Sequence, residues 1–284
     1  MENDFLARIL VPVDDSVSSL MAQETAAMIA KKSGAVVTVL HVIPDFRSAY
    51  DYPLGVRTEI LSNFEKRSQA ILSKASALFI DEKVAVNVEV RRGDPAATII
   101  DFSIHDFDLI IMGACGEHET DLCKLGSVTK KVVRSSHRPL LVVKKVNPLS
   151  NFLVCTDGSG HSIEALIFGI KLAKKLEAKV TLLNVQEEHI QAASPKTAAE
   201  TGELVLSATL DAVAEETLEV SKRLEFGTPS NVITDVAEEG KFDLVILGSR
   251  GLGTAERFLL GSISDDVSYN AKCSILIVPP KAGR

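Results

Sequence analysis

Short apolar runs rich in Val, Ile and Leu recur along the whole chain, and polar segments separate them. The runs have strand length and lack a strict polar–apolar alternation, which is typical of strands buried on both faces of a parallel sheet. In the first half they predict strands at Arg8–Val13, Ala35–Val42, Val84–Arg91, Leu109–Met112 and Leu140–Lys144. In the second half they predict strands at Phe152–Thr156, Val180–Val185, Val220–Phe226, Leu244–Leu247 and Ile275–Val278.

Helical patterns fill the gaps between these runs. One helix is predicted from about Val17 to Lys32, with Gly34 as its C-terminal glycine. Another is predicted from about Thr58 to Leu78, because its apolar residues recur at helical spacing. Those residues are Ile60, Phe64, Ile71 and Leu78. The alternation of strands and helices predicts an α/β fold, a parallel sheet with helices on both faces.

Two further helix signals come from proline and glutamate. Asp94-Pro95 and Thr228-Pro229 each predict an N-cap residue followed by proline in the first helical position. A helix from Pro195 to Glu216 is predicted to turn its glutamates to solvent. These are Glu200, Glu203, Glu215 and Glu216.

The chain also repeats itself. Ile9-Leu-Val-Pro-Val-Asp-Asp-Ser16 matches Phe152-Leu-Val-Cys-Thr-Asp-Gly-Ser159 at an offset of 143 residues. Phe107-Asp-Leu-Ile-Ile-Met-Gly113 matches Phe242-Asp-Leu-Val-Ile-Leu-Gly248 at an offset of 135. Several ordered matches indicate a duplication. We therefore predict two domains, residues 1–146 and 151–284, joined by a short linker at 147–150, with a longer segment in the first copy near Pro44–Val56.

Composition narrows the class of protein. The chain has 284 residues, of which 46% are hydrophobic and 24% charged, as in ordinary globular domains. No apolar run approaches the ~18 residues that span a bilayer, and the N-terminus lacks the apolar region of a signal peptide. The net charge is −7 without a basic cluster, and Trp is absent, so we expect neither nucleic-acid nor membrane binding.

The cysteines suggest a reducing compartment. Cys115, Cys123, Cys155 and Cys273 form no C-x-x-C pair, so a cytoplasmic location is expected. The spacing of Cys115, His118 and Cys123 matches no structural zinc site, and we expect no protein-bound metal.

A glycine motif follows the fourth strand of each copy. Gly113-Ala-Cys-Gly116 precedes Gly126-Ser127 by nine residues, and Gly248-Ser-Arg-Gly251 precedes Gly261-Ser262 by nine residues. Glycine lets the backbone approach a ligand closely, and free N–H groups at a helix start attract an anion. The motif therefore predicts phosphate binding. The alternative is that the glycines only shape turns and the serines only cap helices.

A carboxylate ends the first strand of each copy, Asp14 in one and Asp157 in the other. Ligands of open parallel sheets bind beyond the carboxyl ends of the strands, so each carboxylate is predicted to share a crevice with a glycine motif. It could hold a ribose hydroxyl or help to bind Mg²⁺ carried by phosphates. The alternative role is to cap the following helix.

The strand-Asp-x-Ser opening, the His-Val end of the second strand and G-x-x-G-(nine)-G-S together resemble the universal stress protein family. The likeness covers nearly the whole chain as two tandem domains. It implies Rossmann-like domains of the adenine nucleotide alpha hydrolase type, each with a five-stranded parallel sheet of order 3-2-1-4-5. It also implies that Leu140–Lys144 pairs with Ile275–Val278, as family members pair when they dimerise; a homodimer of the whole chain is a further expectation.

The same likeness implies ATP or AMP as the ligand and assigns its contacts. Adenine would lie against the backbone at Val42 or Val185, and Asp14 or Asp157 would lie near the ribose. The remaining implied contacts are Pro12, Gly113, Gly116, Gly126, Ser127 and Val128 in the first copy, and Gly248, Gly251, Gly261, Ser262 and Ile263 in the second.

Loop charge suggests that the second copy binds the nucleotide more strongly. The first loop is mainly acidic, with Glu117, Glu119, Asp121 and Lys124, which disfavours a polyphosphate. The second is more basic, with Arg250, Arg257 and Glu256, although Cys155 replaces Pro12 on its first strand.

Three functions remain open at this point. Neither loop carries the G-K-[ST] of a Walker motif, so we expect a nucleotide-binding stress or regulatory protein rather than an enzyme. The alternatives are a slow ATPase or autokinase using the same pocket, and an interaction module with degenerate pockets. His41 lies in a buried-strand pattern and is expected to pack rather than to bind a ligand.

Overall fold

The computed structural model describes residues 5–45, 54–104, 106–116, 125–251 and 260–280. The strands are β1 Arg8–Pro12, β2 Val36–Pro44, β3 Val86–Gly93, β4 Leu109–Gly113, β5 Leu140–Val143, β6 Asn151–Cys155, β7 Lys179–Gln186, β8 Val220–Phe226, β9 Leu244–Gly248 and β10 Ser274–Val278. The helices are α1 Val17–Ser33, α2 Leu54–Asp81, α3 Pro95–Ser103, α4 Ser127–Ser135, α5 Gly160–Leu176, α6 Glu188–Ala193, α7 Pro195–Asp211, α8 Pro229–Glu239 and α9 Ser262–Asn270. All ten predicted strands are confirmed to within two residues at each end.

The strands form one continuous sheet in the order β3-β2-β1-β4-β5-β10-β9-β6-β7-β8. Each half therefore has the predicted order 3-2-1-4-5 with parallel neighbours. The halves meet where β5 and β10 pair antiparallel, with Val142 opposite Ile275. This confirms the predicted internal pairing of the last strands, and it makes the two five-stranded sheets halves of a single ten-stranded one.

Two apolar layers cover the two faces of this sheet. Helices α1, α2, α5 and α7 pack on one face around residues such as Phe79 and Phe152. Helices α3, α4, α8 and α9 pack on the other, around Ile99 and Val245. Because strand side chains alternate between faces, strands without polar alternation supply apolar contacts to both layers. No helix among the described residues combines the length and the apolar character that a membrane crossing requires.

Local capping explains where the helices begin and end. Gly34 ends α1 in the left-handed conformation with φ 79°, as predicted. Asp94 caps α3 by accepting a hydrogen bond from the Ala97 N–H, and this bond lowers the pKa of Asp94. Thr228 occupies the predicted N-cap position of α8 and Pro229 follows it, although the Thr228 hydroxyl forms no capping hydrogen bond.

Two element boundaries differ from the sequence prediction. Helix α7 ends at Asp211 rather than Glu216, because the chain continues in tighter turns in which Val213 N–H bonds to Leu210 and Glu216 N–H bonds to Val213. Helix α2 is longer than predicted at both ends and runs for 28 residues. Most of the predicted longer segment of the first copy, residues 46–53, lies outside the described residues.

Side chains from the two halves also join α4 to α9. Arg134 of α4 forms two hydrogen bonds with Asp265 of α9, at 3.1 and 2.5 Å. At the repeat-related positions, the Lys130 ammonium lies 5.6 Å from the centre of the Tyr269 ring. In both contacts the first half supplies the cation, and the second half supplies the carboxylate or the aromatic ring that binds it. Two copies of α4 would face each other with like charges instead, so the sequence favours pairing between unlike halves.

The repeat yields a stability prediction at the end of α5. Glu177 occupies the position of Gly34 and adopts the left-handed conformation with φ 60°. This conformation costs a residue with a side chain roughly 1–2 kcal/mol, and the ion pair of Glu177 with Lys32 is long and exposed at 3.8 Å. We expect Glu177→Gly to raise the free energy of unfolding by about 1 kcal/mol in urea titrations. Glu177→Ala keeps the strained conformation and should change little; an equal gain from both would contradict the explanation.

Candidate functional site

A cavity of about 430 Å³ opens beyond the carboxyl ends of β1 and β4 in the first half. These strands are neighbours, so the two signals that follow them meet at one edge of the sheet. All eight residues predicted for the first site line this cavity. They are Pro12, Asp14, Val42, Gly113, Gly116, Gly126, Ser127 and Val128. The volume lies within the usual range for small-molecule pockets.

The first glycine of the motif is required by packing. A Cβ on Gly113 would lie 2.5 Å from the backbone carbon and oxygen of Ser18, in the first turn of α1. A Cβ on Gly248 would lie 2.9 Å from the same atoms of His161 in α5. The close approach also brings the Ser18 hydroxyl to 3.3 Å from the N–H of Cys115. This glycine therefore builds the crevice by letting helix and strand meet.

The second glycine makes room for the strand-end carboxylate. A Cβ on Gly116 would lie 3.2 Å from Asp14 Oδ2, and one on Gly251 would lie 2.5 Å from Asp157 Oδ2. The other carboxylate oxygen, Asp14 Oδ1, accepts hydrogen bonds from the N–H and the hydroxyl of Ser16 at 3.1 and 2.6 Å. The carboxylate is thereby fixed with one oxygen beside the glycine loop.

The aspartates do not cap the helices that follow them. Ser16 is the N-cap of α1 and accepts from the Ser19 N–H, and Ser159 does the same for α5 with Ser162. Helix capping, the alternative role considered for Asp14 and Asp157, is thus performed by the serines two residues later. Each aspartate accepts a hydrogen bond from the N–H of its serine and so holds that serine in place.

Helix α4 begins at the cavity without a side-chain cap. Gly126 is its N-cap residue. Its φ of −65° is accessible to any residue, so the backbone conformation does not require glycine at this position. Ser127 is the first helical residue and is exposed, and it does not cap the helix. The Thr129 hydroxyl donates to the Gly113 carbonyl at 3.0 Å and ties the helix start to β4. The first N–H groups of α4 are left to interact with an anion in the cavity.

The second half repeats this framework. Gly261 is the uncapped N-cap residue of α9, and the Ser264 hydroxyl donates to the Gly248 carbonyl at 2.8 Å. Ser262 and Ile263 follow on the exposed start of α9, and Val185 is half-buried on β7. The predicted residues of the second site thus surround the ends of β6 and β9.

A chain of buried polar side chains distinguishes the second half. The Gln186 amide donates to Asn184 Oδ1 at 2.7 Å, and the Asn184 amide donates to the Thr156 carbonyl at 2.8 Å. The Thr156 hydroxyl lies 3.1 Å from that of Thr209 on α7. Repeat-related positions in the first half are Ile43, His41 and Val13, which line the cavity. His41 bonds to the Val13 carbonyl as Asn184 does to that of Thr156, so the second half differs by its side-chain bonds from Gln186 to Asn184 and from Thr156 to Thr209.

Helix α7 also lies close to the sheet at this point. A Cβ on Gly202 would overlap the Leu224 side chain and lie 3.2 Å from Gln186 Cγ. The adjacent strand end carries Cys155 in place of Pro12, and burial raises the pKa of its thiol far above the ordinary range, so the thiol stays protonated. Burial likewise raises the pKa of Cys273 to about 11.

One wall of the cavity was not predicted from the sequence. Helix α2 contributes Phe64, Arg67, Ser68 and Ile71, which share one face by their three- and four-residue spacing. That spacing indicated an amphipathic helix, but nothing in the sequence placed its face over β1 and β4. His41 does pack in the strand, as expected, and its Nδ1 donates to the Val13 carbonyl at 2.8 Å; the ring nevertheless also lines the cavity.

The described residues hold no cluster of three or more metal-ligating side chains. A lone carboxylate such as Asp14 fits a Mg²⁺ ion held chiefly by phosphates rather than by the protein. His118 and Cys123, which were considered for a metal, lie outside the described residues, as do the charged loop residues 117–124 and 256–257 on which the ranking of the two sites was based.

Comparison with known proteins identifies the family. The model of the universal stress protein family matches twice, over residues 6–144 and 149–279. A universal stress protein of Methanocaldococcus jannaschii is 34% identical over 140 residues, which is 49% of this chain and 82% of that protein. A putative universal stress protein of Staphylococcus haemolyticus is 30% identical over 137 residues, 45% of this chain and 83% of that protein.

A solved structure shares the tandem arrangement. The universal stress protein of Archaeoglobus fulgidus superposes with a TM-score of 0.77 over 97% of this chain and 99% of that one, at 24% identity. The likeness in fold therefore extends over both halves. This chain belongs to the universal stress protein family and consists of two family domains in tandem.

Proposed function

We propose that the protein binds an adenine nucleotide, ATP or AMP, in the first-half cavity and acts as a nucleotide-responsive member of its stress-protein family. The observation that carries the proposal is the convergence of eight motif residues on one cavity that begins at an uncapped helix start. The N–H groups of α4 suit phosphate oxygens, and Asp14 suits a ribose hydroxyl. Pro12, Val42 and Ile99 offer the apolar surface that a purine base requires.

This proposal reverses the ranking expected from loop charge, in which the second half binds more strongly. The reversal is supported by the bonded chain from Gln186 to Thr209, whose members on the sheet occupy positions that line the cavity in the first half. A ligand at the base end of the second crevice would meet the buried Gln186 amide, and displacing it from Asn184 would leave buried polar groups unpaired at a cost of about 1–3 kcal/mol each. The second half thus serves chiefly as the structural partner of the first.

Matched glycine variants test the site. We expect Gly126→Val to lower ATP affinity at least tenfold in titration calorimetry, because its side chain would enter the space before the α4 N–H groups. Gly261→Val is the repeat-related control and should leave the affinity unchanged. Circular dichroism checks that both variants fold. A larger loss from Gly261→Val would restore the ranking expected from the sequence, and no loss from either would reject the nucleotide site.

We further propose that the protein binds the nucleotide without fast turnover, since neither loop carries a Walker lysine. Phosphate release measured in the same samples separates this from the slow ATPase or autokinase alternative. Release that increases with protein concentration and disappears in Gly126→Val would overturn the binding-only proposal.

A reducing cytoplasmic location is proposed on the basis of the thiols. Cys115, Cys155 and Cys273 carry reduced thiols, and the first two are buried. A homodimer would need a surface other than β5 and β10, since these last strands are already paired with each other.

A further inference from the structure

His41 carries an unassigned hydrogen-bonding atom at the base end of the cavity. The partner of its Nδ1 is the Val13 carbonyl, which can only accept, so Nδ1 bears the proton in that bond. In the neutral ring the second nitrogen, Nε2, is then an acceptor. His41 lines the cavity and is half-buried.

The second half shows which kind of donor binds to an acceptor at this position. Asn184 stands at the position of His41 and holds the equivalent carbonyl, that of Thr156, at the same distance of 2.8 Å. Because that carbonyl must receive the amide N–H, Oδ1 is the remaining atom of the Asn184 amide, and it accepts an N–H from the NH₂ group of Gln186. Gln186 is buried. A planar amino group from the same chain thus satisfies the acceptor in the second half.

Among the described residues of the first half, the position of Gln186 carries no such donor. Ile43 stands where the second half has Gln186, and it cannot donate from its side chain. Next to His41 the cavity is therefore bordered by the apolar side chain of Ile43, where the second half has the amide of Gln186. Resting on the nucleotide site proposed above, we infer that His41 Nε2 accepts a hydrogen bond from the exocyclic amino group of the bound base and selects 6-amino purines over 6-oxo purines.

An acceptor at this position distinguishes the two bases. Nε2 accepts a hydrogen bond from the 6-amino group of adenine and repels the 6-carbonyl oxygen of guanine. Removing the acceptor should therefore reduce the preference for adenine over guanine.

Other ionisable groups near the cavity have to be separated from this effect. Asp14 after β1, Arg67 on α2 and Cys115 after β4 line it, and Asp94 adjoins it at the start of α3. Their influence falls on the shared ribose and phosphates of ATP and GTP as well as on the base. The ratio of the two affinities, compared between wild type and a His41 variant, cancels the shared part.

The experiment measures ATP and GTP affinities by titration calorimetry, with circular dichroism as the check of folding. We expect His41→Leu, which removes the acceptor, to lower the ATP-to-GTP affinity ratio about tenfold, the scale of one buried hydrogen bond lost. His41→Asn, which copies the residue that the second half carries at this position, should keep the Val13 bond, the fold and an acceptor oxygen, and so most of the wild-type ratio. His137→Asn alters an exposed histidine elsewhere and should behave as the wild type.

The outcomes separate this inference from the proposal on which it rests. An ATP-to-GTP affinity ratio that His41→Leu leaves unchanged, or one that His41→Asn lowers as much as His41→Leu does, would overturn the role of His41 while leaving nucleotide binding intact. Absence of ATP binding that depends on Gly126 would reject the nucleotide site itself.

Discussion

Gly113→Ala is expected to destabilise the protein by about 3 kcal/mol or more, because its Cβ would overlap backbone atoms that cannot rotate away. The overlap with the Ser18 carbonyl, at 2.5 Å, forces α1 and β4 apart. In the second half the same change at Gly248 meets His161 at 2.9 Å and should cost less, about 1–2 kcal/mol. Urea denaturation followed by circular dichroism measures both.

Gly160→Ala is the control for this pair, since a Cβ there meets nothing within 4 Å at the first residue of α5. It should change the free energy of unfolding little. If Gly113→Ala were as stable as the wild type, the first glycine of the motif would not be a packing requirement, and a direct role toward the ligand would have to explain it.

Lys144→Met is expected to destabilise the protein by about 2–3 kcal/mol, on the scale of hydrogen bonds to a charged group. Lys144 follows β5 of the first half, is buried, and donates to the Ala271 and Tyr269 carbonyls at the end of α9, at 2.7 and 3.3 Å. Its positive charge also suits the negative end of that helix. Methionine keeps the apolar length of the side chain and leaves both carbonyls without this donor.

The adjacent, exposed Lys145 supplies the control, and Lys145→Met should cost under about 0.5 kcal/mol. Thermal unfolding monitored in both variants measures the difference. An equal effect of the two substitutions would show that the ammonium of Lys144 contributes nothing specific to the junction between the halves.

The fold could be predicted from the sequence because its signals are local and occur twice. Strands such as Leu109–Met112 are continuous apolar runs, and turn signals such as Gly34 mark where helices must stop. The offset between repeats then aligned elements whose individual signals were weak. The boundary of α7 was missed because the change from helical to tighter turns after Asp211 depends on backbone hydrogen bonds that residue preferences do not encode.

The site residues that belong to a sequence motif at a strand end could be predicted from the sequence. Asp14, Gly116 and Gly126 follow strands whose carboxyl ends meet, so their proximity follows from strand order. The contribution of α2 was not predictable, because two strands and a helix separate Arg67 and Ser68 from the glycine motif, and only tertiary packing brings them over it. The difference between the halves was also hidden, since Gln186 and Asn184 appear in the sequence as ordinary strand residues.

The asymmetry between the halves has a physical consequence for the whole chain. Pairing Arg134 with Asp265 and Lys130 with Tyr269 joins unlike halves at the centre of the sheet. Once the second half supplies these contacts, its crevice is free to close around its own polar side chains without losing the junction. If the first half binds a nucleotide as proposed, duplication allows one half to specialise in ligand binding and the other in support.

The most direct test of this account is the crystal structure of the protein grown with ATP. We predict density for an adenosine phosphate in the first half, with the phosphates at the start of α4, the ribose near Asp14 and the base near Val42 and His41. The bonded side chains of Gln186 and Asn184 should be undisturbed in the same crystal. Nucleotide bound beside Asp157 and the start of α9, with the first cavity filled by protein side chains, would contradict the account.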